Sequence, residues 1–396
     1  MRMTYALDGV MVLDLSRVLA GPFCSMMLAD MGADVLKVEE PEGGDESRTW
    51  PPFAAGEASG YLSMNRNKRD MTLNLKTSEA QDILKRLVAR ADVLIENFRT
   101  GTMETFGLGY DALRAINPRL IYCAVSVFGR SGPYKDKAGY EALMQAFSGV
   151  MSLTGEPDGP PLRCGVSFLD LSTGMMAAYG VMNALFHRER TGQGQKVEVS
   201  LFETALSLIS YHAVGYLLAG NLPQRQGSGH PMIVPYQVFQ TEDGEMFIVG
   251  SNQRLWMRLC QALRRDDLLQ DPRFASNMER VQHRHILIPI LQREIQKYPT
   301  AVLNEILDKA DVPCAPVNTL DKVLSDPQTK AREMVVDIPH PLIPDLKLLG
   351  LPFKLSASPG DIRLAPPLKG QHTQEVLIDL GYSAADIEAL RERQVI

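Results

Sequence analysis

Residues 10–38 read VMVLDLSRVLAGPFCSMMLADMGADVLKV, and the fold class follows from their pattern. Val10–Leu15 is a short apolar run rich in Val and Leu, which indicates a buried strand. A turn and a helical rhythm over 22–31 follow, and Gly32 ends the rhythm. Asp34–Val38 is the next strand candidate. A strand, a helix and a strand in this order predict two parallel strands joined by a crossover helix.

The same alternation continues through the first half of the chain. Further strand candidates are Met71–Leu75, Asp92–Glu96, Leu120–Val127 and Gln195–Leu201, and helix candidates are Glu79–Ala91, Met103–Ile116, Tyr140–Met151, Leu171–Arg190 and Phe202–Leu218. Strands that alternate with helices predict an α/β domain, Rossmann-like in topology, whose mostly parallel sheet is covered on both faces.

The second half of the chain has a different pattern. Residues 219–235 are dense in Gly and Pro, and Tyr236–Gly250 alternates around Glu242-Asp243-Gly244 as a hairpin would. Helical patterns follow near 252–263, 283–296, 300–310 and 373–393. We therefore expect a large Rossmann-like domain at 1–205, a linker at 206–235, a small α+β domain at 236–325 and a long Pro-rich linker at 326–369.

Composition excludes several classes of protein. The chain has 396 residues, 45% of them hydrophobic, so a sizeable core can be buried. A formal net charge of -6 does not suggest a nucleic-acid partner. Five scattered cysteines in no metal-like spacing indicate reduced thiols, no metal site and a cytoplasmic location. With no signal peptide and no apolar run of spanning length, we expect no membrane association.

Three groups of polar residues lie next to expected strands. Two of them follow a strand, which is where open α/β sheets bind ligands, and the third, at 65–69, precedes one. The first turn, 16–22, lacks the GxGxxG dinucleotide motif but is rich in small residues and carries Arg17. Residues 65–69, NRNKR, could bind phosphate or form a solvated basic turn. Asn97-Phe98-Arg99 follows a strand and could contact a ligand or simply form a turn.

Asp170 is the fourth candidate. It precedes a long helical pattern, so it could cap the helix by accepting main-chain N–H groups. It could also be a nucleophile, because a helix N-terminus stabilises a carboxylate and lowers its pKa. Other mechanisms find no support, since there is no GxSxG elbow and no HxxxH or HExxH pair. Gly227-Ser228-Gly229-His230 could be a mobile loop or plain linker.

Several blocks, taken together, resemble class III CoA-transferases, the family of formyl-CoA:oxalate and carnitine CoA-transferases. They occur in family order over nearly the whole chain, at Leu13–Arg48, Asn65–Lys76, Ala91–Gly101, Gly139–Gly149, Asp170–Gly174, Thr191–Leu201 and Gly370–Thr373. The resemblance implies a homodimer of interlocked subunits, with 370–396 returning to the large domain. It also implies that coenzyme A and its thioesters are substrates, with no permanently bound cofactor and no metal.

The resemblance further implies site residues. Asp170 matches the family nucleophile, which would form an aspartyl anhydride and then an aspartyl-CoA thioester. Tyr140 and Glu141 match an aromatic–acid pair near the acyl group, and Gly227 and Gly229 match a glycine loop that covers the nucleophile. Expected contacts to coenzyme A are Arg17, Val18, Leu19, Ala20, Arg66, Lys68, Leu73, Lys76, Asn97, Phe98, Arg99 and Thr102.

The chain also departs from the formyl-CoA transferase pattern. Glu40 and Thr105 stand where that enzyme has arginines, and the glycine loop is shorter. Residues 226–239 look closer to enzymes acting on dicarboxylates such as glutarate, with succinyl-CoA as donor. Three alternatives stay open: an acyl-CoA racemase of the same superfamily, whose histidine would fall at Tyr140; a CoA-binding protein without activity; and a nicotinamide-dependent oxidoreductase.

Overall fold

The computed structural model describes residues 5–396; residues 1–4, which belong to the expected large domain, lie outside the described part. The chain divides into two compact units. The first comprises the residues up to 148, 165–210 and 327–396, and the second comprises 149–164 and 211–326.

Six parallel strands form the sheet of the first unit. In chain order they are β1 (Met11–Asp14), β2 (Asp34–Glu39), β3 (Lys68–Thr72), β4 (Val93–Glu96), β5 (Ile121–Ser126) and β6 (Lys196–Ser200). Their order across the sheet is β3-β2-β1-β4-β5-β6, and every neighbouring pair is parallel. The strand order therefore reverses between β1 and β4, and such a reversal opens a crevice at the carboxyl ends of the strands.

Helices cover both faces of this sheet. Because successive strand residues point to opposite faces, Val12 and Leu13 enter two different cores, one on each face. The helices of the first unit are Ala20–Asp30, Ser59–Leu62, Ser78–Val88, Thr102–Thr105, Tyr110–Ile116, Glu141–Phe147, Phe168–Thr191, Leu201–Leu208, Pro327–Ala331, Thr373–Asp379 and Ala384–Glu392, with a 3₁₀ turn at Glu46–Thr49 and a small hairpin of Phe53–Ala54 with Glu57–Ala58.

The mixed α/β fold with a large parallel sheet agrees with the sequence, but several boundaries differ. The strand expected at Met71–Leu75 begins at Lys68, because the side chain of Lys68 is buried in an ion pair instead of lying in a loop. Four expected helices break where a residue takes a left-handed conformation, at Gly107, Gly149, Ser210 and Gly381. Glycine adopts that conformation without strain.

Residues 370–396 lie against β3 and the core beneath it. The main-chain N–H of Gly370 donates to Asp70 Oδ1 at 2.5 Å, and that of Thr72 donates to Thr373 Oγ1 at 3.0 Å. Leu377 is fully buried in the same core as Leu13. The C-terminal segment is therefore part of the first unit.

The second unit contains an antiparallel sheet of three strands, β7 (Tyr236–Gln240), β8 (Glu245–Val249) and β9 (Cys314–Pro316), in the order β9-β8-β7. Strands β7 and β8 form the hairpin expected around Asp243. Its helices are Val150–Leu153, Ser210–Ala219 (from Tyr211 on), Gln253–Ala262, Asp267–Gln270, Asn277–Gln282, Arg284–Ile295, Thr300–Lys309 and Leu320–Ser325, with a 3₁₀ turn at Pro272–Phe274.

Two expected linkers contain regular structure. The expected linker 206–235 includes the helix Ser210–Ala219, and 326–369 includes a hairpin of β10 (Val335–Ile338) and β11 (Leu346–Leu349).

Within residues 5–396 no single helix is long and apolar enough to cross a bilayer. One pair of helices, Leu201–Leu208 and Ser210–Ala219, meets both criteria together but is bent by 70° at the break.

Adjacent residues of the helix Thr373–Asp379 provide a test of this packing. Leu377→Ala should lower the free energy of unfolding by about 2–4 kcal/mol, because it removes a fully buried side chain from the core. Ile378→Ala is the control, because its side chain is 53% exposed, and we expect a change of about 0.5 kcal/mol or less. Urea denaturation followed by circular dichroism measures both; equal effects would contradict the docking of this helix.

Candidate active site

A cavity of about 380 Å³ lies in the first unit at the reversal of strand order. Residues that follow β1 and β4 line it, together with the loop after β5 and the start of the helix Phe168–Thr191. The site residues expected from the sequence that line it are Arg17, Val18, Leu19, Ala20, Asn97, Phe98, Arg99, Tyr140, Glu141 and Asp170. Ten expected residues from four separate segments thus meet in one cavity.

Asp170 occupies the first turn of its helix and does not cap it. The helix begins at Phe168, and the N-cap position belongs to Ser167, whose side chain makes no capping hydrogen bond. Glu141, from the neighbouring helix Glu141–Phe147, instead accepts the main-chain N–H of Leu169 at 3.4 Å. The capping role considered for Asp170 is therefore wrong, and a buried glutamate from another helix contacts the first turn.

The pKa of Asp170 is also opposite to the sequence expectation. Burial, and then the charge of Glu141, raise the pKa of Asp170 from its usual 3.8 to about 7. The expected lowering by the helix N-terminus is outweighed, because a partly buried carboxylate beside a second carboxylate is costly to ionise. Glu141 is held in place by Gln145, whose Nε2 donates to Glu141 Oε1 at 2.6 Å.

A second cavity, of about 290 Å³, adjoins the first. Arg17 and Phe98 line both cavities, so the two share a wall. Leu73, Lys76 and Thr102, which were expected to contact coenzyme A, line the second cavity. Glu39 and Glu40, at the end of β2, line it as well.

Asn97 joins the two loops at the reversal of strand order. Its Oδ1 accepts the main-chain N–H of Arg17 at 2.9 Å, and its Nδ2 donates to the main-chain oxygen of Arg17 at 2.8 Å. The guanidinium of Arg17 lies over the ring of Phe98, 5.5 Å from its centre. The amide of Asn97 therefore bonds to the protein itself, and Arg17 is held where the two cavities meet.

Two expected phosphate-binding cations lie elsewhere. Arg66 is buried in an ion pair with Asp30, at 2.6 Å, and Lys68 is buried in an ion pair with Asp14, at 3.0 Å. Neither lines either cavity. Because both charges are already neutralised by buried carboxylates, we assign them a structural role and withdraw them as phosphate ligands.

Sequence reasoning missed two other cations. Lys135 and Lys137 line the first cavity on the loop after β5. The ammonium of Lys137 lies 5.2–5.6 Å from the centres of three aromatic rings, those of Phe128, Tyr134 and Phe147. The signal was present as KDK at 135–137, but a short charged run that does not directly follow the expected strand Leu120–Val127 resembles any solvated loop.

Gly227 and Gly229 belong to the second unit. Gly227 has a φ of 58°, and its N–H donates to the main-chain oxygen of Gly155 at 2.9 Å. Arg284 contacts both ends of this loop, donating to Gln226 Oε1 and to the main-chain oxygen of Pro231, each at 2.7 Å. The glycine loop is thus tied to its own unit by several hydrogen bonds.

The arrangement suits covalent chemistry at a carboxyl group. The pKa of Asp170 in the first cavity lies near neutrality, so a large fraction of Asp170 is ionised and nucleophilic at neutral pH.

Among residues 5–396, no group of three or more His, Cys, Asp or Glu side chains is arranged to hold a metal ion.

Comparison with known proteins connects this geometry to a family. The model of CoA-transferase family III matches residues 7–373. The chain is 40% identical to a succinate–glutarate CoA-transferase of Agrobacterium fabrum, over 94% of this chain and 95% of that protein. It is also 40% identical to a succinyl-CoA:mesaconate CoA-transferase of Haloarcula marismortui, over 95% of this chain and 96% of that protein. A solved CAIB/BAIF family protein from Brucella suis has a TM-score of 0.86 at 39% identity, covering 95% of this chain and 100% of that one.

The raised pKa of Asp170 predicts how stability changes with pH. The folded protein keeps the proton of Asp170 to about pH 7, whereas the unfolded chain loses it near 3.8. Stability is therefore lost as pH rises between these values. Asp170→Asn cannot ionise, so its free energy of unfolding relative to the wild type should increase by roughly 1–2 kcal/mol from pH 5 to pH 8. A fully desolvated group would contribute ~1.4 kcal/mol for each pKa unit of its shift that lies in this range, and the partial exposure of Asp170 reduces that contribution.

Thermal unfolding at the two pH values measures this gain. Asp136→Asn is the control, because Asp136 lines the same cavity but is exposed, and it should show no comparable gain. An Asp170→Asn difference that does not grow with pH would show that Asp170 ionises freely in the folded protein.

Proposed function

Because the chain belongs to CoA-transferase family III, we propose that it moves coenzyme A from an acyl-CoA donor to a carboxylic acid acceptor with Asp170 as the nucleophile. The observation that supports this most is the position of Asp170. It lies in the first cavity, at the carboxyl end of the sheet, among residues of the loops after β1 and β4. A nucleophile there can reach a ligand that extends along those loops.

The proposed reaction has two symmetrical halves. The carboxylate of Asp170 attacks the donor thioester, the carbon–sulfur bond breaks, and a mixed anhydride and CoA thiolate form. The thiolate attacks the aspartyl carbonyl and releases the donor acid, which leaves an aspartyl-CoA thioester. In the second half the acceptor carboxylate attacks the aspartyl-CoA carbonyl, which expels CoA thiolate and forms a second anhydride. The thiolate then attacks the acceptor carbonyl of that anhydride, which gives the CoA thioester of the acceptor and regenerates the Asp170 carboxylate. Each step exchanges one acyl bond for another, so no net proton transfer, metal or redox partner is needed.

The two cavities suit the two ends of coenzyme A. We assign the second cavity, with Leu73, Lys76 and Thr102, to the adenine nucleotide, and the first to the pantetheine and acyl groups. Arg17, where the cavities meet, would face the diphosphate, since guanidinium groups bind phosphates well. In the first cavity Arg99, Lys135 and Lys137 supply further positive charge.

We infer that the acceptor is a dicarboxylate. The support is the similarity of the whole chain to transferases named for glutarate, mesaconate and citramalate, each with succinyl-CoA or succinate as partner. A transferase named for acetyl-CoA and oxalate is similar as well, at 38% identity, so the similarities support the class of dicarboxylic acids and not one individual acid.

The racemase alternative is less well supported. Tyr140 stands where the racemase histidine would fall, and it is 65% exposed at the start of the helix Glu141–Phe147. A tyrosine side chain lacks the imidazole that such an enzyme uses to move the α-proton. The exchange of CoA between two acids distinguishes the two activities, because a racemase leaves the thioester bond intact.

We further propose a homodimer, as the family resemblance implies. The helix Ser210–Ala219 has no buried residue, and Leu217 and Leu218 are about four-fifths exposed. Exposed apolar side chains in series indicate a surface covered by another chain. Light scattering should therefore give twice the chain mass, also on dilution, and Leu217→Glu should weaken the dimer; a well-folded wild-type monomer would contradict the proposal.

A trapping experiment tests the nucleophile. The protein is mixed with succinyl-CoA and hydroxylamine, digested, and its peptides are mapped by mass spectrometry. We expect a hydroxamate on Asp170, because hydroxylamine attacks both the anhydride and the thioester intermediate. Asp170→Ala, treated identically, should give no adduct and no CoA exchange, a loss of at least about 10³-fold. Full exchange activity in Asp170→Ala would refute the mechanism.

A further inference from the structure

The loop between β1 and the helix Ala20–Asp30 has an unusual backbone. Val18, which lines the first cavity, has a φ of +71°. A β-branched residue in this left-handed region is strained, because its side chain crowds the main chain. Some other part of the protein must therefore hold the loop in this conformation.

A buried ion pair beneath the loop holds it. Both carboxylate oxygens of Asp45 accept the main-chain N–H of Val18, at 3.1 and 3.3 Å. Lys37 Nζ donates to Asp45 Oδ2 and to the main-chain oxygen of Ser16, each at 2.8 Å. The side chains of Lys37 and Asp45 are fully buried. One ion pair thus binds the main chain of the loop at two points, on either side of Arg17.

Asp45 is itself fixed in orientation. Its Oδ1 accepts the main-chain N–H and the hydroxyl of Ser47, at 2.9 and 2.8 Å. Its own N–H donates to Glu39 Oε2 at 2.7 Å, and Glu39 lines the second cavity. Asp45 therefore connects the strained loop of the first cavity to the wall of the second.

Stability alone does not explain such an arrangement. Burying two charges costs desolvation energy that their attraction often only offsets, and apolar side chains can replace a buried ion pair without loss of stability. A directional contact to the N–H of Val18, in contrast, cannot be made by an apolar side chain. The ion pair supplies this directional contact, and stability alone does not require it.

We propose that Asp45 is a positioning residue for coenzyme A, which holds Val18 and Arg17 in the conformation that binds the ligand. The proposal rests on the proposed function, since it assumes that this loop binds coenzyme A. Asp45 does not line either cavity and acts through the loop.

Direct binding of coenzyme A, measured by isothermal titration calorimetry, tests the proposal without any chemistry. Asp45→Asn should raise the Kd at least tenfold. The matched control is Asp30→Asn, which breaks another buried pair, with Arg66, away from both cavities. It should lower the melting temperature but leave the Kd within a factor of two. If Asp45→Asn does not fold, Ser47→Ala, which removes one hydrogen bond to Asp45, should raise the Kd a fewfold.

Val18→Gly provides a second, independent readout. Glycine takes the left-handed conformation without strain, so the loop depends less on Asp45 in this variant. The factor by which Asp45→Asn raises the Kd should therefore be smaller when it is combined with Val18→Gly than when Val18 is retained. A merely structural role of Asp45 predicts the same factor in both.

The outcomes separate the two hypotheses. No binding of coenzyme A by the wild type would overturn the proposed function itself. Wild-type binding with an unchanged Kd in Asp45→Asn, or with equal losses in Asp45→Asn and Asp30→Asn, would overturn only the positioning role.

Discussion

Buried pairing of opposite charges at the strand ends is the constraint on which this site depends. Lys68 begins β3 and Asp14 ends β1, and their side chains meet at 3.0 Å in a fully buried ion pair. Burial alone would raise the pKa of Asp14, but Lys68 and Lys37 bring it down to about 2. Lys37 also pairs with Asp45. The loop after β1, which lines both cavities, therefore lies on a layer of paired charges instead of an apolar core.

Asp170 shows the opposite arrangement, a partly buried acid placed beside another acid. Its pKa of about 7 means that ionisation costs the folded protein stability. The same cost makes the carboxylate more reactive, because attack on an electrophile removes a charge that its surroundings disfavour. Strain of this kind is common at active sites, where stability is lost and function is gained. The paired charges under the loop and the unpaired acid in the cavity are thus complementary parts of one site.

Hydrophobic periodicity was enough to predict the parallel sheet, since the buried strands near Val12, Val35 and Val93 are short apolar runs. Periodicity did not predict the start of β3 at Lys68–Asp70, because a charged strand residue whose ion-pair partner is distant in sequence looks like a loop residue. For the same reason Arg66 and Lys68 were expected to bind phosphates. The family resemblance led to Asp170. The environment of Asp170, however, depends on Glu141 from a neighbouring helix, and the distance between the two residues along the chain does not reveal this contact.

The proposed mechanism resolves an electrostatic difficulty of the site. An acceptor carboxylate must approach a cavity that already contains Asp170 and the buried Glu141. In the free protein an ionised Asp170 would repel it, as Glu141 repels the ionised Asp170 itself. Once Asp170 is a CoA thioester it carries no charge and cannot ionise, so this repulsion disappears at the stage when the acceptor binds. The order of steps, in which the donor reacts before the acceptor enters, is therefore the order that the charges of the cavity favour.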